Sequence, residues 1–211
     1  MKIVASGDWH LDLKVKGYDF HSDIVRAAEE VIDATRGADL FVMLGDLFET
    51  QEPSPRAYAA LFRLLGDVAC PMLAVAGNHD YKAYAPLEEV TYNSELKVAY
   101  SPIAVGVLGK HFLLLPYGGE QKDIDSMVES VGGIDAAFAH LNMEGAELHE
   151  GMTSGVGGLM LPGQLKRVVY PVVNGHYHRR QHVGSVWMPG SLVPTDMGER
   201  GNERGWLELE L

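Results

Sequence analysis

Apolar residues in this chain come in short continuous runs that stop abruptly on polar ones. The first, Ile3-Val4-Ala5, predicts a strand over residues 2–6 that ends in Gly7-Asp8-Trp9-His10. A second run, over 40–44, ends in Gly45-Asp46, and a third, over 71–76, leads into Gly77-Asn78-His79-Asp80. Between them the period changes. After a loop over 11–18, Ile24, Ala27, Ala28, Val31, Ile32 and Ala34 fall on one face of a helix expected over 20–36, capped by Ser22 or Asp19 and ended by Gly37. A Pro-containing loop over 51–55 then precedes a helix over 56–65, with Ala57, Ala60, Leu61, Leu64 and Leu65 as its buried face. Three strand–polar–helix units in succession predict a parallel sheet wound by right-handed crossovers.

The second half reads differently. Residues 98–108 and 110–116 are β-rich runs separated by Gly109-Lys110, and they predict a hairpin or a second sheet. A helix is expected over 123–131 and a short strand over 134–139, which ends at His140. Residues 141–161 are rich in Gly and Met, contain His149, and read as a long mobile loop of the kind that tends to be functional. A further strand is expected over 167–173, before Asn174-Gly175-His176-Tyr177-His178. The tail carries short β-like runs around Val183, Val186 and Leu207. No internal repeat or linker interrupts the chain, so a single domain over 1–211 is expected.

Composition narrows the class. The chain has 211 residues, 46% apolar and 22% charged, which suits one globular domain with a substantial core. No apolar run is long enough to span a bilayer, and the N-terminus lacks a signal-peptide pattern. The single cysteine, Cys70, excludes an internal disulfide and reads as a buried apolar residue in a reducing, cytoplasmic setting. A net charge of -12 disfavours a broad basic face for nucleic acid. It does not exclude nucleic acid as a substrate, because bound divalent cations would add positive charge where phosphate must sit.

The chemistry lies in the strand ends. Asp8/His10, Asp46, Asn78/His79, His140 and His176/His178 each follow an apolar run directly. Asp8 and His10 are two apart, so on an extended segment they point the same way and can share one metal. Oxygen and imidazole donors gathered at one sheet edge describe a site for two borderline divalent metals, with manganese, iron, zinc, nickel and cobalt all fitting. No thiolate takes part, which separates this from a structural zinc site. His21, His111 and His182 have no such placement and are expected to be solvated. His149 stays open, because its loop could reach the site.

Taken in order, Asp8-x-His10, Gly45-Asp46, Gly77-Asn78-His79-Asp80, His140 and Gly175-His176-x-His178 resemble the calcineurin-like metallophosphoesterase superfamily. The resemblance implies a four-layer α/β/β/α sandwich, two mixed sheets flanked by helices. It also implies a first metal held by Asp8, His10, Asp46 and His178, and a second held by Asp46, Asn78, His140 and His176. Asp46 would bridge them, and the pair, expected to be manganese, would activate a hydroxide for in-line attack on phosphorus. His79 is implied to be the catalytic histidine at the leaving group, with Asp80 orienting the site. Asp8-Trp9-His10-Leu11, Gly45-Asp46-Leu47-Phe48, Pro53-Ser54-Pro55, Pro189-Gly190-Ser191-Leu192 and Asp196-Met197-Gly198-Glu199 resemble the SbcD-type recombination and repair nucleases, including their phage relatives. Leu47-Phe48-Glu49 after Asp46 differs from the protein serine/threonine phosphatases. It also puts Glu49 where some members of the branch have a histidine assisting the catalytic one.

The leading expectation is therefore a metal-dependent phosphodiesterase acting on DNA, an exo- or endonuclease of SbcD type. An SbcC-type ATPase partner and a homodimer are possible companions, although the chain stops after Leu211 without the capping domain usual in that branch. The alternative is a small-molecule phosphoesterase acting on nucleotides, cyclic nucleotides or phosphomonoesters. The third, a non-catalytic scaffold, predicts decayed ligand positions, and none is lost.

Overall fold

The computed structural model describes residues 1–84, 96–149, 151–155, 157–199 and 201–211. The first half of the chain builds β1 (Lys2–Ser6), a small hairpin of β2 (Lys14–Val15) and β3 (Tyr18–Asp19), α1 (His21–Ala34), β4 (Leu40–Met43), α2 (Pro55–Gly66), β5 (Met72–Val75) and β6 (Leu96–Ala99). Strands β1, β4, β5 and β6 lie side by side and parallel, as the alternation of strands and helices requires. The second half adds β7 (Ile103–Val107), β8 (Lys110–Leu115), α3 (Gln121–Ser130), β9 (Ala136–Ala139), a hairpin of β10 (Glu147–His149) and β11 (Met152–Thr153), β12 (Val172–Asn174), β13 (Gln181–Val183), β14 (Val186–Met188) and β15 (Leu207–Glu210). The last strand returns to the first sheet, antiparallel to β1, while β13-β14-β12-β9-β8-β7 form a six-stranded mixed sheet.

The two sheets pack face to face. Ile3, Ala5, Leu40, Val42, Leu73 and Val75 of the first sheet meet Phe112, Leu114, Ala136, Phe138 and Val173 of the second. Alternate residues point the other way, as strand geometry dictates. Val4, Phe41, Met43, Met72 and Ala74 pack under α1 and α2, and Leu113, Leu115, Ala137 and Ala139 pack with Ile124 of α3. The result is the four-layer α/β/β/α sandwich. Burial on both faces explains why the strands read as unbroken apolar runs rather than alternating ones.

Helix starts follow local chemistry. Ser54 caps α2 by accepting from the Ala57 N–H at 3.2 Å, with Pro55 in the first turn, so the helix begins one residue earlier than expected. In α1 the cap position is Phe20, which offers no side-chain acceptor. Asp19 instead takes the His21 N–H at 3.0 Å, and Ser22 lies inside the helix.

Four expectations need correction. Val98 and Ala99 belong to β6 in the first sheet rather than to the hairpin, which is β7–β8 alone. The strand expected over 167–173 is only Val172–Asn174. The apolar residues before Pro171 follow a 3₁₀ turn (Gly163–Arg167), where Leu165 is buried and Val169 faces solvent. Residues 141–161 are not a structureless loop. They carry the β10–β11 hairpin and bury Leu141, Met143, Ala146 and Leu161 against the second sheet, and Glu147 exchanges two backbone hydrogen bonds with the Gln181 side chain. His21 is not solvated: it is 7% exposed, because it stands on the buried face of α1 with Ile24, Ala28 and Val31. His111 and His182 are exposed as expected, and Cys70 is buried and free. The helix expected after β5 and the side chain of His149 lie outside the described residues. Among the described residues no helix is long and apolar enough to cross a membrane.

Candidate metal centre

The strand ends of both sheets converge at one edge. The turn after β1 is bonded to the turn after β4, with Asp8 N–H donating to the Gly45 carbonyl at 2.9 Å and His10 N–H to that of Asp46 at 3.0 Å. Asp8, His10, Asp46 and His176 all adopt left-handed backbone angles, with φ of 53°, 53°, 49° and 74°. Each such residue costs of order 1–3 kcal/mol and persists only where surrounding contacts dictate it. Asp8 and His10 therefore share a direction for a different reason than expected: they sit on a tight turn, not an extended segment. The neighbouring glycines permit the crowding. A Cβ at Gly77 would overlap the Asp46 carboxylate, and one at Gly45 would come within 2.5 Å of His140 Nδ1.

All eight residues expected at the site, His79 and the seven metal candidates, lie in this cluster. Asp8, His10 and His178 present ligand-type atoms within 4.8 Å of one another, and so do Asp46, His140 and His176. Asn78 Oδ1 joins the second group, 3.1 Å from His140 Nε2 and 2.9 Å from His176 Nδ1. A third grouping, His10, Asp46 and His79, links the two. Among these histidines His79 is the open one, with its side chain 39% exposed against 2% for His10 and 0% for His140. Its N–H donates to Asp46 Oδ1 at 2.9 Å, and its Nδ1 sits 3.0 Å from the Glu49 carbonyl.

The histidines are aimed by what holds their outer nitrogens. His140 Nδ1 donates to the Leu44 carbonyl at 2.6 Å, which turns Nε2 inward toward Asp46 Oδ2 at 3.2 Å. His176 Nε2 meets Asn142 Oδ1 at 2.9 Å, leaving Nδ1 toward Asn78. His178 Nδ1 meets Glu199 Oε1 at 2.6 Å and Thr195 Oγ1 at 2.8 Å. His10 Nδ1 lies 2.8 Å from Glu49 Oε2 without the alignment of a hydrogen bond. The inward nitrogens of His10 and His178 then face each other at 3.1 Å. Ring nitrogens whose outer partners are acceptors present lone pairs to one another and to carboxylates. Such a donor set fits divalent cations, and outer acceptors on ligating histidines are the usual support for them.

Electrostatics agree. His140 is fully buried, which opposes charging it, yet Asp46, Asp8 and the Leu44 carbonyl outweigh burial and push it up to about 9. Burial pushes Asp46 up, but His140 and its neighbours prevail and hold it below the usual carboxylate range. Burial raises Asp8, and burial together with the His140 charge drives His176 down to about 3. The cluster thus draws in positive charge. Asp80 is buried beneath it and accepts from the Phe48 and Gly77 N–H groups at 3.1 and 3.2 Å, tying the two turns together. Burial and the Asp46 charge push it up to about 7.

Four supporting groups were not assigned a role from the sequence: Asn142, Thr195, Glu199 and the Glu49 carboxylate. Glu199 closes the Asp196-Met197-Gly198-Glu199 stretch, so its presence was visible but not its contact. Asn142 stands two residues after His140, the only local signal it carries.

Residues 1–180 match the family described as calcineurin-like phosphoesterase. Among solved structures, an archaeal phosphodiesterase shares 15% identity over 90% of this chain and 84% of its own, with a TM-score of 0.46. Purple acid phosphatase PPD1 from yellow lupin (Lupinus luteus) seeds shares 13% over 89% of this chain and 43% of its own, at 0.51. Nuclease MPE of Pseudomonas putida shares 16% over 84% of this chain and 62% of its own, at 0.40. The lupin likeness speaks for a shared fold.

Proposed function

This chain belongs to the calcineurin-like phosphoesterase family, a family of metal-dependent hydrolases, and on that premise we propose that it is a phosphodiesterase acting on DNA, of the SbcD type. The observation carrying the metal assignment is the double cluster. Asp8, His10, Asp46 and His178 would hold one cation and Asp46, Asn78, His140 and His176 the other, with Asp46 shared. Manganese suits this mixture of carboxylate, amide and imidazole donors. Two such cations supply charge neutralisation at the phosphate and a nucleophile at neutral pH.

The chain's own residues do the rest. Leu44, Asn142 and Glu199 fix which nitrogen of His140, His176 and His178 faces inward. Burial of Asp8 and Asp46 keeps bulk water from screening the site. His79 has its Nδ1 engaged by the Glu49 carbonyl, so its Nε2 is the nitrogen placed to serve the leaving oxygen, a contribution of about 10²–10⁴-fold for a general acid. The Trp9, Phe48 and Pro189-Gly190-Ser191 motifs favour DNA. The net charge of -12 favours the second reading, a small-molecule phosphoesterase.

End-labelled duplex and single-stranded DNA, incubated with manganese and with the Asp46→Asn protein as control, separates the two. Digestion lost in the variant supports the nuclease. Turnover of small phosphate esters with intact DNA would select the second reading.

A further inference from the structure

Beside the ligand cluster the surface opens into a groove of about 490 Å³, lined by Asn78, Tyr81, Lys82, Tyr117, Gly118 and Leu159 among others. It is continuous with the metal centre, because Asn78 belongs to both and the Tyr117 ring stacks on His176 at 6.0 Å and 27°. Gly118 keeps it open. A Cβ there would come within 2.6 Å of the Tyr81 ring and 2.7 Å of the Tyr100 carbonyl, so the backbone itself forms part of the wall. Lys82 is exposed and is the single cation among the described lining residues, in a chain of net charge -12. The volume lies in the range that accepts a small organic group.

We infer that this groove takes the nucleoside of a phosphodiester whose phosphate sits at the metal centre, with the base against Tyr117 and an anionic oxygen beside Lys82. Aromatic rings and an amine next to a phosphate site are the elements that hold a base and its backbone without reading sequence. A phosphate ester of a small alcohol has nothing to place there. The inference rests on the phosphodiesterase reading and deepens it by naming the subsite that takes the nucleoside, whatever its base.

The test compares two diesters with one leaving group, thymidine 5′-(p-nitrophenyl phosphate) and methyl p-nitrophenyl phosphate, on the manganese-loaded protein. Alongside it, calorimetry compares binding of thymidine 5′-monophosphate with inorganic phosphate. The nucleoside ester should have the higher kcat/KM, and the mononucleotide the tighter binding, each by roughly 5- to 150-fold, the worth of one stacked base. Tyr117→Leu should remove most of that advantage. Lys82→Ala, at an exposed position, should cost both diesters about 2- to 5-fold and lose its effect in high salt. Equal handling of the two diesters and equal binding of the two anions by the wild type would overturn the groove assignment while leaving a phosphodiesterase. A binding advantage for the mononucleotide without turnover of either diester would sink the phosphodiesterase reading and keep the groove.

Discussion

The two sheets contribute to the site in different ways. The first supplies Asp8, His10, Asp46, Asn78 and His79 from tight turns, three of the five with left-handed or glycine-crowded backbone. The second supplies only imidazoles, His140, His176 and His178, each aimed by a hydrogen bond to its outer nitrogen. Neither sheet completes either of the two clusters proposed to hold the cations. Asp8 and His10 need His178, and Asp46 needs His140 and His176. The site is therefore a joint between sheets, negative on one side and pre-aimed on the other, and a cation bound there would tie the two halves of the fold together.

Breaking the shared carboxylate should have the largest effect. Asp46→Asn removes the carboxylate proposed to bridge the two clusters, so activity should fall by more than the roughly 10- to 100-fold typical of losing an outer partner, and metal content should drop on both sides. Metal analysis and steady-state rates check this together. His79→Ala comes next, with kcat down about 10²–10⁴-fold and the metal content intact, because the open histidine is not needed by either cluster. An emptied metal position in that variant would reverse the assignment of His79.

Outer-partner variants sharpen the comparison between clusters. Asn142→Ala should weaken metal affinity about 10- to 100-fold at the His176 cluster alone, and Glu199→Gln by a similar factor at the His178 cluster alone. Competition with a metallochromic chelator would resolve the two as separate affinity classes. Equal loss at both sites in either variant would mean that the clusters are not independently supported.

The smallest expected effect is on stability. His140 rises to about 9 in the folded protein from an ordinary value near 6.5, so its protonation stabilises the metal-free fold fully below about pH 6.5, and that contribution is lost as pH climbs through 9. Denaturant midpoints of metal-free protein should fall across that window. His140→Gln should flatten the slope, and saturating manganese should both flatten it and raise stability at all these pH values.

These contrasts also show what was readable in the chain. The strand-end residues were legible because each is a polar group standing directly after a buried apolar run, where packing gives it no other reason to be. The four-layer sandwich followed from the family resemblance alone, the apolar runs marking only buried strands. The contacts of Asn142 and Glu199 were not legible, because they meet His176 and His178 across 34 and 21 residues of chain, although Glu199 stood in a motif that was. His21 was misjudged as solvated although it stands on the buried face of its own helix, three residues before Ile24 and seven before Ala28. The 167–173 stretch looked like a strand by composition, but pairing with β9 and β14 begins only after Pro171.

The most direct test of the central claim is metal stoichiometry with electron paramagnetic resonance on manganese-loaded protein. Two ions per chain with a spin-coupled spectrum, collapsing to uncoupled or absent manganese in Asp46→Asn, is the expected result. A single uncoupled ion in the wild type, or coupling that survives Asp46→Asn, would contradict a two-metal centre bridged by this carboxylate.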